Sequence, residues 1–167
     1  MPELSRVYTD LREIFLEVTP ESSSPEASPM QPTDELPRVY GVVVDIGFEL
    51  LFTVATYADG TTNACDAQGG GVNDLGVLPE IAVLGRGILR AAEANLASFG
   101  PVESPPLPAF GRVRFTVLTY EGRLGLDVDG AALLKGQLAL STAFKAVMAI
   151  MQRARQVAAD RSTPKPQ

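Results

Sequence analysis

Residues 57–76 constrain the fold more than any other stretch, because the hydrophobic pattern before them is typical of strands and the pattern after them is typical of a helix. Residues 39–58 contain two runs rich in β-branched and aromatic side chains, which favour strands. Asp59 and Gly60 then provide the positive φ angles that a two-residue hairpin loop requires. The sequence therefore predicts a three-stranded meander, with residues 61–68 as its third and more polar strand.

Helical periodicity begins after the triple glycine of this stretch. Apolar side chains recur at spacings of three and four over residues 79–99, which predicts a long helix. Residues 112–120 and 123–128 predict a hairpin from their alternating side chains, and residues 141–159 predict a last helix. Together these elements predict an α+β domain over residues 38–160, with a five-stranded antiparallel sheet and the long helices packed on one face.

The order of three strands, a helix, a hairpin and a helix over residues 39–159 is similar to that of the longin and profilin-like domains, and more distantly to that of the roadblock domains. At the level of motifs, the Ala-Asp-Gly-Thr-Thr turn at residues 58–62, the triple glycine and residues 111–122 look like a set of small bacterial proteins of unknown function. The first resemblance implies the layered sheet and helices described above, and the second implies no activity.

The N-terminal residues 1–18 predict a separate amphipathic helix. An isolated helix of this length is marginal in water, so its apolar stripe is expected to dock. The stripe faces either its own domain or a partner, and the sequence leaves both open. The residues of this predicted partner-docking helix are Leu4, Val7, Leu11, Ile14 and Phe15.

Residues 19–37 predict a disordered tether, because they are rich in proline and serine and carry only acidic charges. Residues 161–167 predict a disordered tail. Residues 1–37 hold the whole net charge of −6, since the rest of the chain has as many basic as acidic residues. The neutral remainder offers no broad positive field, so neither nucleic acid nor a membrane is an expected partner. No apolar run is long enough to cross a bilayer, and a cytoplasmic protein is predicted.

Catalysis by histidine is excluded, because the sequence contains none. The single thiol, Cys65, has no flanking base in its predicted strand and is expected to be a packed side chain. The sequence predicts no enzymatic activity, cofactor or metal site. The triple glycine offers bare backbone amides of the kind that bind anions, but the lysine of a phosphate-binding loop is missing. The binding-surface candidates in and near this loop are Asp66, Gly69, Gly70, Gly71, Asp74 and Arg86.

These observations favour a non-catalytic bacterial protein-interaction module that forms a homodimer or binds another protein. Two alternatives remain at this stage. One is a small-molecule or nucleotide sensor that uses the loop of Gly69–Gly71. The other is an immunity protein that neutralises a toxin, which small size and acidity alone suggest.

Overall fold

A computed structural model of the chain describes residues 3–21, 28–163 and 166. The helices are α1 (Arg6–Glu17), α2 (Pro79–Ala94), α3 (Gly130–Leu134) and α4 (Ser141–Ser162). The strands are β1 (Val39–Gly47), β2 (Leu51–Tyr57), β3 (Thr62–Asp66), β4 (Gly71–Val72), β5 (Gly100–Pro101), β6 (Arg112–Thr119) and β7 (Gly122–Asp129). Short 3₁₀ turns lie at Leu75–Val77 and Leu96–Ser98.

The strands form one antiparallel sheet in the order β4-β3-β2-β1-β6-β7-β5. The predicted α+β class with an antiparallel sheet is confirmed. The predicted number of five strands is wrong, because the described chain has seven. The two additional strands, β4 and β5, have only two residues each, which is too short for an alternating pattern to appear in the sequence. They lie at the two edges of the sheet, where Pro101 of β5 is tolerated.

The main core lies between one face of the sheet and the long helices α2 and α4. Side chains of alternate β1 residues, Val42, Val44 and Ile46, point into it and are buried together with the apolar stripes of both helices. Gly85 of α2 allows the close approach to the sheet, since an added Cβ would lie 2.5 Å from the Thr56 hydroxyl oxygen. This core contains no residue of α1.

The opposite face of the sheet is covered by α1, which docks on its own domain. A second cluster of buried apolar residues joins the helix to this face of β1, β2, β3 and β6. Its members are Tyr8, Phe15, Leu16, Met30, Tyr40, Val43, Ala55, Tyr57, Cys65 and Leu118. The question of docking that the sequence left open is thus answered in cis for this structure.

The segment predicted as a disordered tether packs against the domain over residues 28–37. Met30 and Leu36 are buried, and Thr33 accepts a hydrogen bond from the Leu36 amide. Glu35 forms ion pairs with Arg86 and Arg90 of α2. Composition alone predicts disorder because it averages over the segment and does not show that Met30, Leu36 and Glu35 contact the domain. Residues 22–27 of the predicted tether lie outside the described residues.

The ends of the helices also differ from the prediction. The last helix continues to Ser162, so the predicted tail begins later than residue 161, and residues 164, 165 and 167 lie outside the described part. The second helix was predicted to end at residue 99 but ends at Ala94. A 3₁₀ turn at Leu96–Ser98 stands in place of the last predicted helical turn. The short helix α3 was not predicted. Asp129, an N-cap residue by type, caps it by accepting a hydrogen bond from the Ala132 amide.

Candidate functional site

The docked helix α1 begins at a cap that also fixes it to the sheet. The Ser5 side chain accepts a hydrogen bond from the Val7 amide, as an N-cap residue does. The Ser5 amide in turn donates to the carbonyl oxygen of Ala67, just beyond β3. At the other end of the helix, the Tyr57 hydroxyl donates to the Phe15 carbonyl and the Tyr40 hydroxyl donates to the Val18 carbonyl. Both ends of α1 are therefore held by the sheet.

A buried polar network lies between α1 and the sheet. Arg12 makes a two-pronged ion pair with Asp45 of β1, with Nε at 2.9 Å from Oδ1 and Nη2 at 2.8 Å from Oδ2. Thr53 of β2 donates to Asp45 Oδ1 at 2.7 Å and lies 2.8 Å from the Tyr8 hydroxyl. Because the Thr53 proton is directed to Asp45, Tyr8 is the donor to Thr53. Arg12 also donates to the carbonyl oxygen of Pro105, in the proline-rich segment after β5.

The buried carboxylate of the network requires a cation on α1. Asp45 is completely buried, and a buried carboxylate is tolerated only when it is paired and hydrogen-bonded. Burial lowers the pKa of Arg12, but the hydrogen bonds and charge of Asp45 outweigh it and raise that pKa overall. Burial, and then the charge of Asp45, raise the pKa of Tyr8. An apolar helix without a cation at this position would leave Asp45 unpaired.

Cys65 lies next to Thr53 in the sheet, under the same helix. Its side chain is buried, and burial followed by the charge of Asp45 raises the pKa of the thiol to about 12. A thiol with this pKa is almost entirely protonated at neutral pH, and the thiolate is the nucleophilic form. Cys65 is therefore a packed side chain in the docked state.

The glycine loop, residues 69–71, lies against the start of α1. Asp66 Oδ1 accepts hydrogen bonds from the amides of Gln68, at 2.9 Å, and Gly70, at 3.2 Å. Gly69 has a φ of +91°, and a Cβ added there would lie 2.7 Å from the Ser5 hydroxyl oxygen. The carboxylate of the protein itself thus occupies amides that a bound anion would need, and the helix start packs over the loop.

Of the remaining sequence candidates, Gly71 adjoins the loop, whereas Asp74 and Arg86 lie elsewhere. Gly71 pairs with Cys65 as part of β4. Asp74 adopts the left-handed conformation and donates its amide to the Asn63 side chain. Arg86 pairs with Glu35 at 3.5 Å and donates to the Ala58 carbonyl, near the hairpin that joins β2 and β3. The structure therefore joins Asp66 and the glycines to the start of α1, and it does not bring Arg86 to them.

The predicted docking stripe of α1 is divided between two environments. Phe15 is buried against the sheet and Leu11 is half-buried, whereas Leu4, Val7 and Ile14 are 40%, 53% and 57% exposed. At about 100° per residue, the apolar positions of α1 span about 200° of its circumference, roughly twice the width that one packed face needs. The sheet covers the half that contains Tyr8 and Leu16. Val7 and Ile14 of α1, and Leu4 just before its N-cap, stay exposed, and we call these three residues the outer row.

Sequence reasoning missed the polar network altogether. Its signal was a single acidic residue, Asp45, inside the otherwise apolar run of residues 42–46. A carboxylate in a buried strand requires a cation or several donors, so a partner was predictable in principle. The sequence does not specify which of the arginines provides it.

Within the described ranges, no helix has both the length and the apolar character needed to cross a bilayer, and no group of three acidic or thiol side chains is placed to hold a metal ion. No family model matches the chain, and no curated protein or solved structure matches it either.

Proposed function

We propose that this chain is a non-catalytic, cytoplasmic protein-interaction module that forms a homodimer and offers the outer row of α1 to a protein partner. The observation that carries the proposal is the exposure of Val7 and Ile14 on a helix that is otherwise docked, and of Leu4 just before that helix. Exposed apolar side chains that group into a patch mark interaction surfaces. From the order of its elements, we also propose a relationship to the longin and profilin-like domains.

The surroundings of the outer row indicate the chemistry of that partner. Asp10, Glu13 and Glu17 are exposed on the polar side of α1, and the only exposed base among its helical residues is Arg6, which lies 3.8 Å from Asp10. A partner surface with an apolar strip and a basic flank complements this arrangement, since charged rims govern specificity and association rate.

The character of the buried polar groups supports a role without catalysis. Asp45 and Arg12 neutralise each other under α1, and Asp66 stabilises its own loop. Each of these groups performs a structural task, Asp45 and Arg12 in holding α1 and Asp66 in holding the loop. A reacting carboxylate or thiolate would need access to a substrate, which the docked helix prevents at Asp45 and Cys65.

Site-specific photocrosslinking tests the outer row. A benzoylphenylalanine at position 7 or 14 of the full-length protein is expected to give a discrete protein adduct in the native host. The same residue at position 13, on the exposed polar side of α1, serves as the matched control and is expected to give none. Equal products from positions 7, 13 and 14, or no product from any of them, would contradict the proposal. Sedimentation velocity tests the homodimer, which a strictly monomeric protein would contradict.

A further inference from the structure

The packing of the monomer explains one of the two glycines inside α2 and not the other. Glycine is the least favourable residue in a helix interior after proline, so each one needs an explanation. Gly85 has one within its own chain, since the Thr56 hydroxyl occupies the space of a Cβ. Gly87 has none, because a Cβ added there would meet no atom within 4 Å. Its missing side chain is unexplained by the packing of the monomer.

Gly87 lies in a groove on the outer surface of the helical layer, between α2 and α4. The groove has a volume of about 400 Å³ and is lined mainly by small apolar side chains. Val83 stands at its rim and is 73% exposed, which is unusual for a valine on a helix that already has a buried face. The lining residues from α2 are Val83, Leu84, Gly87 and Ala91.

We propose that a second copy of this chain docks in this groove, with the two α2 helices crossing antiparallel about a two-fold axis near Gly87. The inference rests on the self-association proposed above and names its contact surface. Val83, Gly87 and Ala91 are spaced by four residues and form a ridge of the kind that packs helix against helix. In an antiparallel crossing, the bulky Val83 of one copy faces the small Ala91 of the partner subunit. The missing side chain of Gly87 lets the two backbones approach.

The charges of α2 favour the antiparallel alignment. Glu80 lies in the first turn and Arg90 in the last half of the helix, and their side chains are 55% and 62% exposed. Within their own chain they pair with Arg153, at 3.3 Å, and with Glu35, so a second copy would add a further opposite charge to each. The crossing places Glu80 of one copy near Arg90 of the partner subunit, twice by symmetry. A parallel alignment would instead place each of these charges near the same residue of the partner subunit, where like charges repel.

The test measures the dimer dissociation constant of the full-length protein by sedimentation equilibrium. Gly87→Leu is expected to raise the dissociation constant at least 100-fold, and Gly87→Ala about tenfold. Gly87→Ala is also expected to raise the melting temperature, since the added methyl group meets open space within the monomer. This opposite response of affinity and stability distinguishes a contact surface from a general packing defect. Gly100→Leu is the matched control, because a Cβ at this exposed glycine also meets nothing within 4 Å, and it should leave the dissociation constant unchanged.

Charge reversal tests the alignment. Glu80→Arg is expected to weaken the dimer more than Glu80→Gln, which loses the same pair with Arg153, and the double variant Glu80→Arg/Arg90→Glu is expected to restore it to the level of Glu80→Gln. A dimer unaffected by Gly87→Leu would overturn this contact surface while leaving self-association in place. A protein that is monomeric at every concentration would overturn both proposals. If Gly87→Leu dissociates the dimer but the double variant does not recover it, the antiparallel alignment is wrong.

Discussion

Replacing Arg12 by methionine tests whether the buried network holds α1 on the sheet. The substitution keeps the length and apolar contacts of the side chain but leaves the fully buried Asp45 without its cation. Thr53 continues to donate one hydrogen bond to Asp45, so the carboxylate loses two of its three side-chain hydrogen bonds. The expected result is release of the helix, because release gives Asp45 access to water.

The size of the effect follows from the burial of both partners. Breaking a buried ion pair by removing one member costs about 3–5 kcal/mol, and Arg12 is only 13% exposed, so solvent screens the pair weakly. We take about 3 kcal/mol, because the helix can undock without unfolding the main core. At about 1.4 kcal/mol per factor of ten, the population of the undocked state should rise roughly 100-fold.

The single cysteine reports this population directly. Cys65 is buried within the cluster that α1 forms with the sheet, and its high pKa keeps it unreactive while the helix is docked. The rate of labelling by a disulfide reagent at pH 8 should therefore increase by about the same factor of 100 in Arg12→Met. Arg6→Met is the matched control on the same helix. Arg6 is 93% exposed, and its pair with Asp10 is worth at most about 0.5 kcal/mol, so labelling should change less than about threefold.

Two results would refute this reasoning. Labelling of Arg12→Met at the wild-type rate would mean that the ion pair does not hold the helix. Faster labelling whose rate rises with urea as steeply as global unfolding does would mean that Cys65 becomes accessible only when the whole domain unfolds, because the urea dependence scales with the surface exposed. Asp45→Asn in the Arg12→Met background should slow the labelling again, because the unpaired charge is then gone.

Three further predictions concern stability. Gly87→Ala should raise the free energy of unfolding of the dilute protein by about 1 kcal/mol. Gly85→Ala should lower that free energy by about the same amount, because the added Cβ would meet the Thr56 hydroxyl. Thermal unfolding of the two variants distinguishes these outcomes. Glu93→Gln should lower it by about 1 kcal/mol, because the carboxylate accepts hydrogen bonds from the amides of Arg38 and Val39, and urea titration measures the loss. Burial raises the pKa of Cys65 to about 12 and raises the pKa values of Tyr8 and Tyr57, so the unfolded chain ionises at lower pH than the folded protein. The contribution of these groups to stability is therefore complete below about pH 9 and should be lost progressively above it. Unfolding midpoints measured at pH 8 and 10.5 test this.

The α+β class and the long elements were predictable from the sequence because their periodicity is strong. The Asp59–Gly60 turn and the stripe that includes Ile81 and Ile88 are local signals, and the structure has the hairpin and the helix they predict. The edge strand β4 was not predictable, because its two residues become a strand only through pairing with Ala64 and Cys65. Pairing of this kind depends on the tertiary structure.

The site was harder to predict because its members are distant in sequence. Arg12 and Asp45 are separated by 33 positions, and Pro105, which also accepts from Arg12, is 93 positions away. The helical period of α1 predicted an apolar stripe, but that stripe omitted Tyr8 and Leu16, which are buried against the sheet. The period also could not divide the stripe between the sheet and the solvent. That division depends on the width of the sheet face that α1 covers.

The two proposed surfaces lie on opposite sides of the sheet, and this separation makes them independently testable. The cluster beneath α1 shares no buried residue with the core beneath α2 and α4, although the partly buried Ala58 packs against both. Substitutions at distant sites without shared partners add within about 0.5 kcal/mol. Arg12→Met should therefore leave the dimer dissociation constant unchanged within about twofold, and Gly87→Leu should leave the labelling rate of Cys65 unchanged. A tenfold effect of either variant on the other measurement would show that docking of α1 and dimerisation are coupled through the sheet.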